Sequence, residues 1–313
     1  MQQVAMLQPG DTIGLSAPAG PAAHQREKID RAIHAIEALG FHVIVGRSCY
    51  EKWGYLAGSD EVRADDLNAF FANPEIAGIF CMRGGYGSIR LLDCLDFDAI
   101  AHHPKVFVGY SDITALHLAL NQMAGFMTFH GPMPVSDFIR PDFADYAKPR
   151  LLQAIMSPEP LGAIASPPEA SAIEIVSPGD AEGRLVGGNL ANICALMGTP
   201  FEIDTRGKIL LLEDIYEEAY RIDRMLTQLR LGGKFRDVAG IVLGDFTHWE
   251  PTEPHNYLHI DDVIKNILLP LKKPILKNVC FGHGRFNATL PLGAMARIDG
   301  DDGRLLVTES GVK

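Results

Sequence analysis

A chain of 313 residues with 47% hydrophobic content is long enough to build two cores. Its glycines and prolines are scattered, as in a turn-rich globular protein, so repeats and disordered tracts are excluded. The formal charge of −11 and a pI near 5.4 repel phosphate backbones and anionic lipid, which argues against nucleic-acid and membrane partners.

The cysteines Cys49, Cys81, Cys94, Cys194 and Cys280 are odd in number and mostly sit in apolar runs, the pattern of reduced, buried thiols. The N-terminal stretch lacks a basic segment followed by a long apolar one, and no run of eighteen apolar residues occurs, so the expected location is the cytoplasm.

Residues 12–17 predict a strand. Residues 25–39 predict a helix with Ile29, Ile33, Ile36 and Leu39 on one face, ended by Gly40. A strand at 41–45 follows, then a helix at 60–72 stopped by Asn73-Pro74. A buried strand at 76–82 leads into the loop Arg83-Gly84-Gly85-Tyr86-Gly87 and a further helix. The strand at 106–109 runs straight into a helix after Ser111. This alternation implies a mostly parallel, flavodoxin- or Rossmann-like sheet with helices on both faces, whose sites lie at the carboxyl ends of strands.

The stretch 157–171 is rich in Pro, Ser and Ala and has no periodicity. The expected organisation is an N-terminal α/β domain over 1–160, a linker over 161–171 and a smaller mixed α/β domain over 172–313. In the second domain the pattern predicts strands within 173–186, at 208–212, at 239–246 and at 275–281. Between them come a helix with Ile222, Met225, Leu226 and Leu229 on one face, ended by Gly232-Gly233, and another near 260–269. The tail reads as a β-hairpin around Asp299-Gly300-Asp301-Asp302-Gly303.

Ser111 sits where a strand ends, one glycine passes and a helix begins, which resembles a nucleophile elbow. The match to G-x-S-x-G is partial, because Ile113 stands at the second glycine. The competing role is an ordinary helix N-cap. The loop 83–87 has three readings: a phosphate cradle, an oxyanion hole donating from Gly84 or Gly85 towards Ser111, or a tight turn. It is neither G-x-G-x-x-G nor a Walker loop.

Glu213 and Asp214 end an apolar strand and are candidate site residues, whereas Glu217 and Glu218 suit the first turn of a helix. His283 lies between two glycines just past a strand, a backbone that would aim its imidazole. His130, after a short apolar strand in the same domain as Ser111, is a rival base. His24, His34 and His117 fall in helical patterns, and His102 and His103 in a polar loop. His255 and His259 are spaced i,i+4, but Pro251 and Pro254 predict a loop there. No H-E-x-x-H occurs, so no catalytic metal is expected.

Nine stretches in order carry a resemblance along almost the whole chain. They are Gly54-Tyr55-Leu56-Ala57-Gly58-Ser59-Asp60, Arg83-Gly84-Gly85-Tyr86-Gly87, Gly109-Tyr110-Ser111-Asp112, His130-Gly131-Pro132, Gly187-Gly188-Asn189-Leu190, Gly198-Thr199-Pro200, Leu212-Glu213-Asp214, Tyr220-Arg221-Ile222-Asp223-Arg224 and Gly282-His283-Gly284. Together they resemble the LD-carboxypeptidase family of serine peptidases, which also contains the microcin C self-immunity peptidases.

The resemblance implies a nucleophile at Ser111, an oxyanion hole from the Gly85 and Asp112 N–H groups and a Glu213–His283 pair. It also implies two domains with the site completed between them, no metal or other cofactor, and a cytoplasmic homodimer. The implied activity is release of the terminal D-alanine from the murein tetrapeptide in cell-wall recycling. A peptidyl-nucleotide antibiotic is the alternative substrate within the family, with Trp53 or Tyr86 as a platform for the base. A non-catalytic phosphate-binding module built on residues 83–87 is the alternative outside it. The chemistry is coherent on its own terms: a serine hydroxyl needs a neutral imidazole to take its proton, and a buried carboxylate fixes the tautomer of that imidazole. Arg83, Arg221 and Arg285 are candidates to hold a substrate carboxylate.

Overall fold

The structure, a computed structural model, describes residues 1–250 and 257–313. Pro251, Pro254 and His255, read above as a loop, lie outside the described residues. The strands in chain order are β1 (Thr12–Ser16), β2 (His42–Val45), β3 (Ile76–Cys81), β4 (Val106–Gly109), β5 (Thr128–His130), β6 (Gly162–Ala163), β7 (Glu174–Ser177), β8 (Ala181–Asn189), β9 (Ile209–Ile215), β10 (Gly240–Thr247), β11 (Ile275–Lys277), β12 (Leu290–Leu292), β13 (Met295–Asp299) and β14 (Arg304–Val307). The α-helices are α1 (Arg26–Glu37), α2 (Asp60–Ala72), α3 (Phe97–His102), α4 (Thr114–Ala119), α5 (Ala147–Met156), α6 (Leu190–Ala195), α7 (Ala219–Leu231) and α8 (Ile260–Leu268).

The chain forms two compact units. One is Met1–Pro160 with Ala288–Gly293 and Ser310–Lys313; the other is Leu161–Asn287 with Ala294–Glu309. In the first, the sheet order is β12-β5-β4-β3-β1-β2. Strands β1 to β5 run parallel and β12 is antiparallel to β5. The parallel strands thus follow the flavodoxin-like order 2-1-3-4-5, whose switch point falls between β1 and β3. Strands β3 and β4 are apolar on both sides, as a sheet flanked by helices requires: Ile79, Phe80, Cys81, Val106 and Phe107 are fully buried. Helix α1 turns Ile29, Ala32 and Ile36 inward, and α2 starts at Ser59, whose side chain accepts from the Val62 N–H.

The expected contiguous domain over 172–313 needs correction. Strand β12 joins the first unit's sheet, pairing Leu290 with His130 and Leu292 with Thr128. Its two leucines are fully buried, and Pro291 is tolerated because the strand is an edge. The C-terminal residues also return to the first unit: the Val4 N–H donates to the Gly311 carbonyl at 3.2 Å and the Lys313 N–H to the Val4 carbonyl at 3.0 Å. Within the expected linker 161–171, Gly162 and Ala163 pair with β14 and so already belong to the second sheet.

That sheet has the order β6-β14-β13-β8-β9-β10-β11-β7. Its centre, β8 to β11, is parallel, and both flanks are antiparallel. The strands expected within 173–186 divide: β7 pairs with β11 at one edge while β8 lies centrally. The strand expected to reach residue 281 stops at Lys277, because Asn278 takes φ 63°. The tail hairpin forms, with Asp299 opposite Arg304. Among the described residues no helix is long and apolar enough to cross a membrane. All five cysteines are free, and only Cys94 is exposed.

His117, on α4, is structural. Its ring is fully buried, with Nε2 2.8 Å from the Gly109 carbonyl and Nδ1 2.9 Å from the Thr128 hydroxyl. A carbonyl only accepts, so Nε2 carries the proton and Nδ1 accepts from Thr128. Burial pushes this imidazole down from 6.5 to about 4. Between those two values the unfolded chain binds a proton that the folded chain does not, so this group's contribution falls as pH falls. Asp214 and Asp245, each pushed up to about 7 by burial and then by Glu213, act with the opposite sign. Comparison with His117→Asn isolates the histidine, since the carboxyls are common to both proteins. By urea unfolding from about pH 7 to about pH 4.5, the wild type should lose about 2–3 kcal/mol more than the variant. Parallel pH dependences would exclude a buried neutral His117.

Candidate active site

Strand β4 ends at Gly109. Tyr110 is extended and Ser111 turns to φ 66° before the chain enters a helical turn at Ser111–Ile113 and then α4. A left-handed non-glycine residue costs roughly 1–3 kcal/mol and persists only where its surroundings over-determine it. Strand, left-handed serine and helix together have the strand–turn–helix shape of a nucleophile elbow. The missing second glycine has a physical substitute: a Cβ on Gly109 would lie 2.9 Å from Ile113 Cγ2, so Gly109 supplies the close approach.

The loop 83–87 is built against this turn. A Cβ on Gly84 would lie 2.8 Å from Ser111 Cβ and 2.9 Å from its Oγ. The Gly84 carbonyl accepts from the Gly20 N–H at 3.2 Å, and Gly85, at φ 123°, packs on Gly20. The Asp112 carboxylate accepts from the Ser88 N–H at 2.8 Å, and the Asp112 carbonyl accepts from the Ser88 hydroxyl. Burial raises the Asp112 carboxyl, while hydrogen bonds from Ser88 and Gly87 and the Arg63 charge pull the other way. Loops following β1, β3 and β4 therefore meet at the switch point of the sheet.

Beneath them lies Arg63, fully buried and absent from the sequence reading. Its Nη1 donates to the carbonyls of Pro18 at 2.6 Å and Gly87 at 2.9 Å, and its Nη2 pairs with Asp60. Arg90 holds the same Asp60, with Nη2 to Oδ2 at 2.7 Å. The only sequence signal was its place three residues after Asp60 in the quoted Gly54-to-Asp60 stretch. The rival base His130 stands opposite Gly109 on β5, wholly buried with its ring 5.8 Å from that of Tyr110.

Glu213 and His283 belong to the second unit, and the structure brings them together. Glu213, at the end of β9, is fully buried, and its Oε2 is 2.6 Å from His283 Nδ1. A carboxylate on Nδ1 leaves Nε2 as the proton-accepting nitrogen of the neutral ring. Gly282, at φ 103°, is required here twice over, because a Cβ would lie 2.7 Å from Glu213 Oε2.

Asp214 does a different job. It accepts from Asn189 Nδ2 at 2.9 Å, from the Ala191 N–H at 2.9 Å and from the Ile215 N–H at 2.8 Å, tying β9 to the start of α6. The Gly-Gly-Asn-Leu stretch serves this contact: a Cβ on Gly187 would lie 2.1 Å from the Leu211 carbonyl oxygen, and Asn189 both caps α6 and holds Asp214. Glu217 faces Arg221 at 3.6 Å.

Of the arginines, Arg83 donates to the Pro21 carbonyl at 3.3 Å, Arg221 to the Tyr220 hydroxyl at 3.0 Å, and Arg285 lies over the Phe286 ring. His259 caps α8 through its ring. Among the described residues no three His, Cys, Asp or Glu side chains are arranged to hold a metal ion.

The contact between Gly84 and Ser111 yields a direct test. Gly84→Ala puts a methyl group where Ser111 sits, and for the nucleophile expected from the sequence at that position an ångström of displacement costs on the order of 100-fold. Turnover should fall by about that factor with the thermal midpoint little changed; wild-type turnover would show that Ser111 tolerates displacement.

Two family models match the chain: the LD-carboxypeptidase N-terminal domain over residues 13–131 and the LD-carboxypeptidase C-terminal domain over residues 182–298. A probable murein peptide carboxypeptidase of Bacillus subtilis is 40% identical over 306 residues, covering 98% of this chain and 94% of that protein. A muramoyltetrapeptide carboxypeptidase from Oxalobacter formigenes superposes with a TM-score of 0.82 at 30% identity, covering 95% of this chain and 97% of that one. MccF, solved in complex with glutamyl sulfamoyl guanosine, superposes with a TM-score of 0.92 at 26% identity, covering 99% of each chain. With both of its family domains matched in order and relatives similar from end to end, the chain belongs to the LD-carboxypeptidase family.

Proposed function

We propose that this chain is a serine-type LD-carboxypeptidase that releases the terminal D-alanine from the murein tetrapeptide in cell-wall recycling. One observation carries the reading: Ser111 is held at φ 66° at the carboxyl end of a parallel strand, with a glycine loop built against it. It is supported by the 2.6 Å contact between His283 and Glu213 and by the similarity to relatives from Bacillus subtilis and Oxalobacter formigenes that are named as murein peptide carboxypeptidases.

In this mechanism His283 Nε2 takes the Ser111 proton as Oγ attacks the carbonyl carbon before the D-alanine. Glu213 holds the Nδ1 proton and stabilises the imidazolium. The Gly85 and Asp112 N–H groups donate to the oxyanion. His283 then protonates the leaving amine, free D-alanine departs, and water attacks the acyl-enzyme by the same route in reverse. We assign the activity to the cytoplasm, in keeping with five free cysteines, and to a homodimer.

A second reading, hydrolysis of a peptidyl-nucleotide antibiotic, is favoured by the likeness to MccF. Exposed aromatic side chains also favour it: Tyr55 and Tyr86 meet edge to face at 5.6 Å and Arg90 lies over Trp53.

Mass spectrometry of the murein tetrapeptide incubated with each protein in EDTA separates the readings. Wild type should release one alanine. Ser111→Ala should lower kcat by on the order of 10^4- to 10^6-fold, and Glu213→Gln by on the order of 10^4-fold through loss of the correct tautomer. Full turnover by Ser111→Ala would refute the serine mechanism. An inert tetrapeptide alongside a cleaved aminoacyl-nucleotide conjugate would favour the second reading.

A further inference from the structure

A third carboxylate lies beside the Glu213–His283 pair, and the mechanism above gives it no task. Strands β9 and β10 pair Leu212 with Leu243 and Asp214 with Phe246, so Glu213 alone stands opposite both Gly244 and Asp245. This is a β-bulge in a parallel pair, where bulges are rare, and bulges beside active sites re-aim a side chain.

The bulge is tied to the segment that carries His283. The Asp245 N–H donates to the Phe281 carbonyl at 3.1 Å, and a Cβ on Gly244 would lie 2.4 Å from that same oxygen. The Asp245 carboxylate accepts from the Gly284 N–H, so closely that a Cβ on Gly284 would lie 2.0 Å from Oδ2. On the other side of His283, Gly282 is seated against Glu213 and donates its N–H to Asn287 Oδ1 at 3.1 Å. Each glycine flanking His283 is therefore demanded by a different carboxylate, one from β9 and one from β10.

We infer that Asp245 is a positioning residue for His283, its carboxylate holding Gly284 so that the imidazole stays on Glu213 and its charge adding to that of Glu213 around the imidazolium. The inference rests on His283 being the general base. The titratable groups facing Asp245 are Glu213 from β9 and His283 from the loop. Burial and then Glu213 push this carboxyl up to about 7, against the pull of the Gly284 N–H and His283. Asp245 thus gains its charge near neutrality, as pH rises through the range in which an imidazole loses its proton. Two coupled groups then share the acid limb of activity.

The test uses Asp245→Asn, which keeps an acceptor for Gly284 without the charge, and Asp245→Ala, which removes both. Kinetics and NMR titration of the His283 Cε1 proton, assigned by its absence in His283→Ala, are read together. Asp245→Ala should lower kcat on the order of 10- to 100-fold with KM within about twofold. Asp245→Asn should fold with a near-wild-type thermal midpoint and move the His283 titration and the acid limb of kcat/KM to lower pH. The titration is also read in Ser111→Ala protein, so it answers for Asp245 even where the assignment of Ser111 fails. Wild-type kcat in Asp245→Ala would overturn the inference. So would a His283 titration unmoved in Asp245→Asn, even with stability lost in parallel, because Asp245 would then support the fold alone.

Discussion

The first unit is organised around one backbone angle. Ser111 is held at φ 66°, and a residue with a side chain stays there only while its neighbours leave it no better place. The strand before it is fixed because the Gly109 carbonyl accepts from both His117 Nε2 and the Gly131 N–H, the latter at 3.0 Å. The residue after it is fixed because Asp112 is bonded twice to Ser88. Gly84 closes the remaining side. Arg63 sits below and gathers the carbonyls of Pro18 and Gly87. A buried guanidinium has to be compensated by its partners, and here Nη1 and Nη2 draw two site loops and Asp60 onto one rigid group.

The same principle recurs in the second unit. Among the described residues five non-glycine positions have positive φ: Ser111, Tyr216, His248, Lys272 and Asn278. Four of the five directly follow a parallel strand or fall within two residues of its end, after β4, β9, β10 and β11. Tyr216 and His248 also stack, with centroids 4.6 Å apart and planes within 10°, and the Tyr216 N–H donates to the Thr247 carbonyl at 3.0 Å. In open α/β sheets the carboxyl edge is where ligands are met. Here it is also where the backbone leaves its ordinary conformations.

Much of this was legible in the residues. Apolar runs such as Ile76–Cys81 and Val106–Gly109 announce buried strands, because both faces must be covered. The glycines around Ser111 and His283 announce close approach. What escaped has physical reasons. Strand β12 is three residues long and contains a proline, so no periodicity could assign it to a sheet formed by residues far earlier in the chain. Arg63 falls in Asp-Glu-Val-Arg-Ala-Asp-Asp, a stretch whose charges read as solvated, and nothing local reveals that three of its neighbours' polar groups converge on it. Asp245 was hidden inside a strand predicted as continuous, although Gly244-Asp245 in an apolar run is the signature of a bulge.

Glu213 and Asp214 were equal candidates in the sequence, and strand geometry separates them. Successive side chains of a strand point to opposite faces. Glu213 therefore reaches His283 while Asp214 turns to α6 and satisfies its carboxylate on Asn189, Ala191 and Ile215. Asp245 enters from the neighbouring strand on the bulge. Burial and a neighbouring carboxylate both oppose the charged form of a carboxyl. Asp214 and Asp245 both show this, each pushed up to about 7 by burial and then by Glu213.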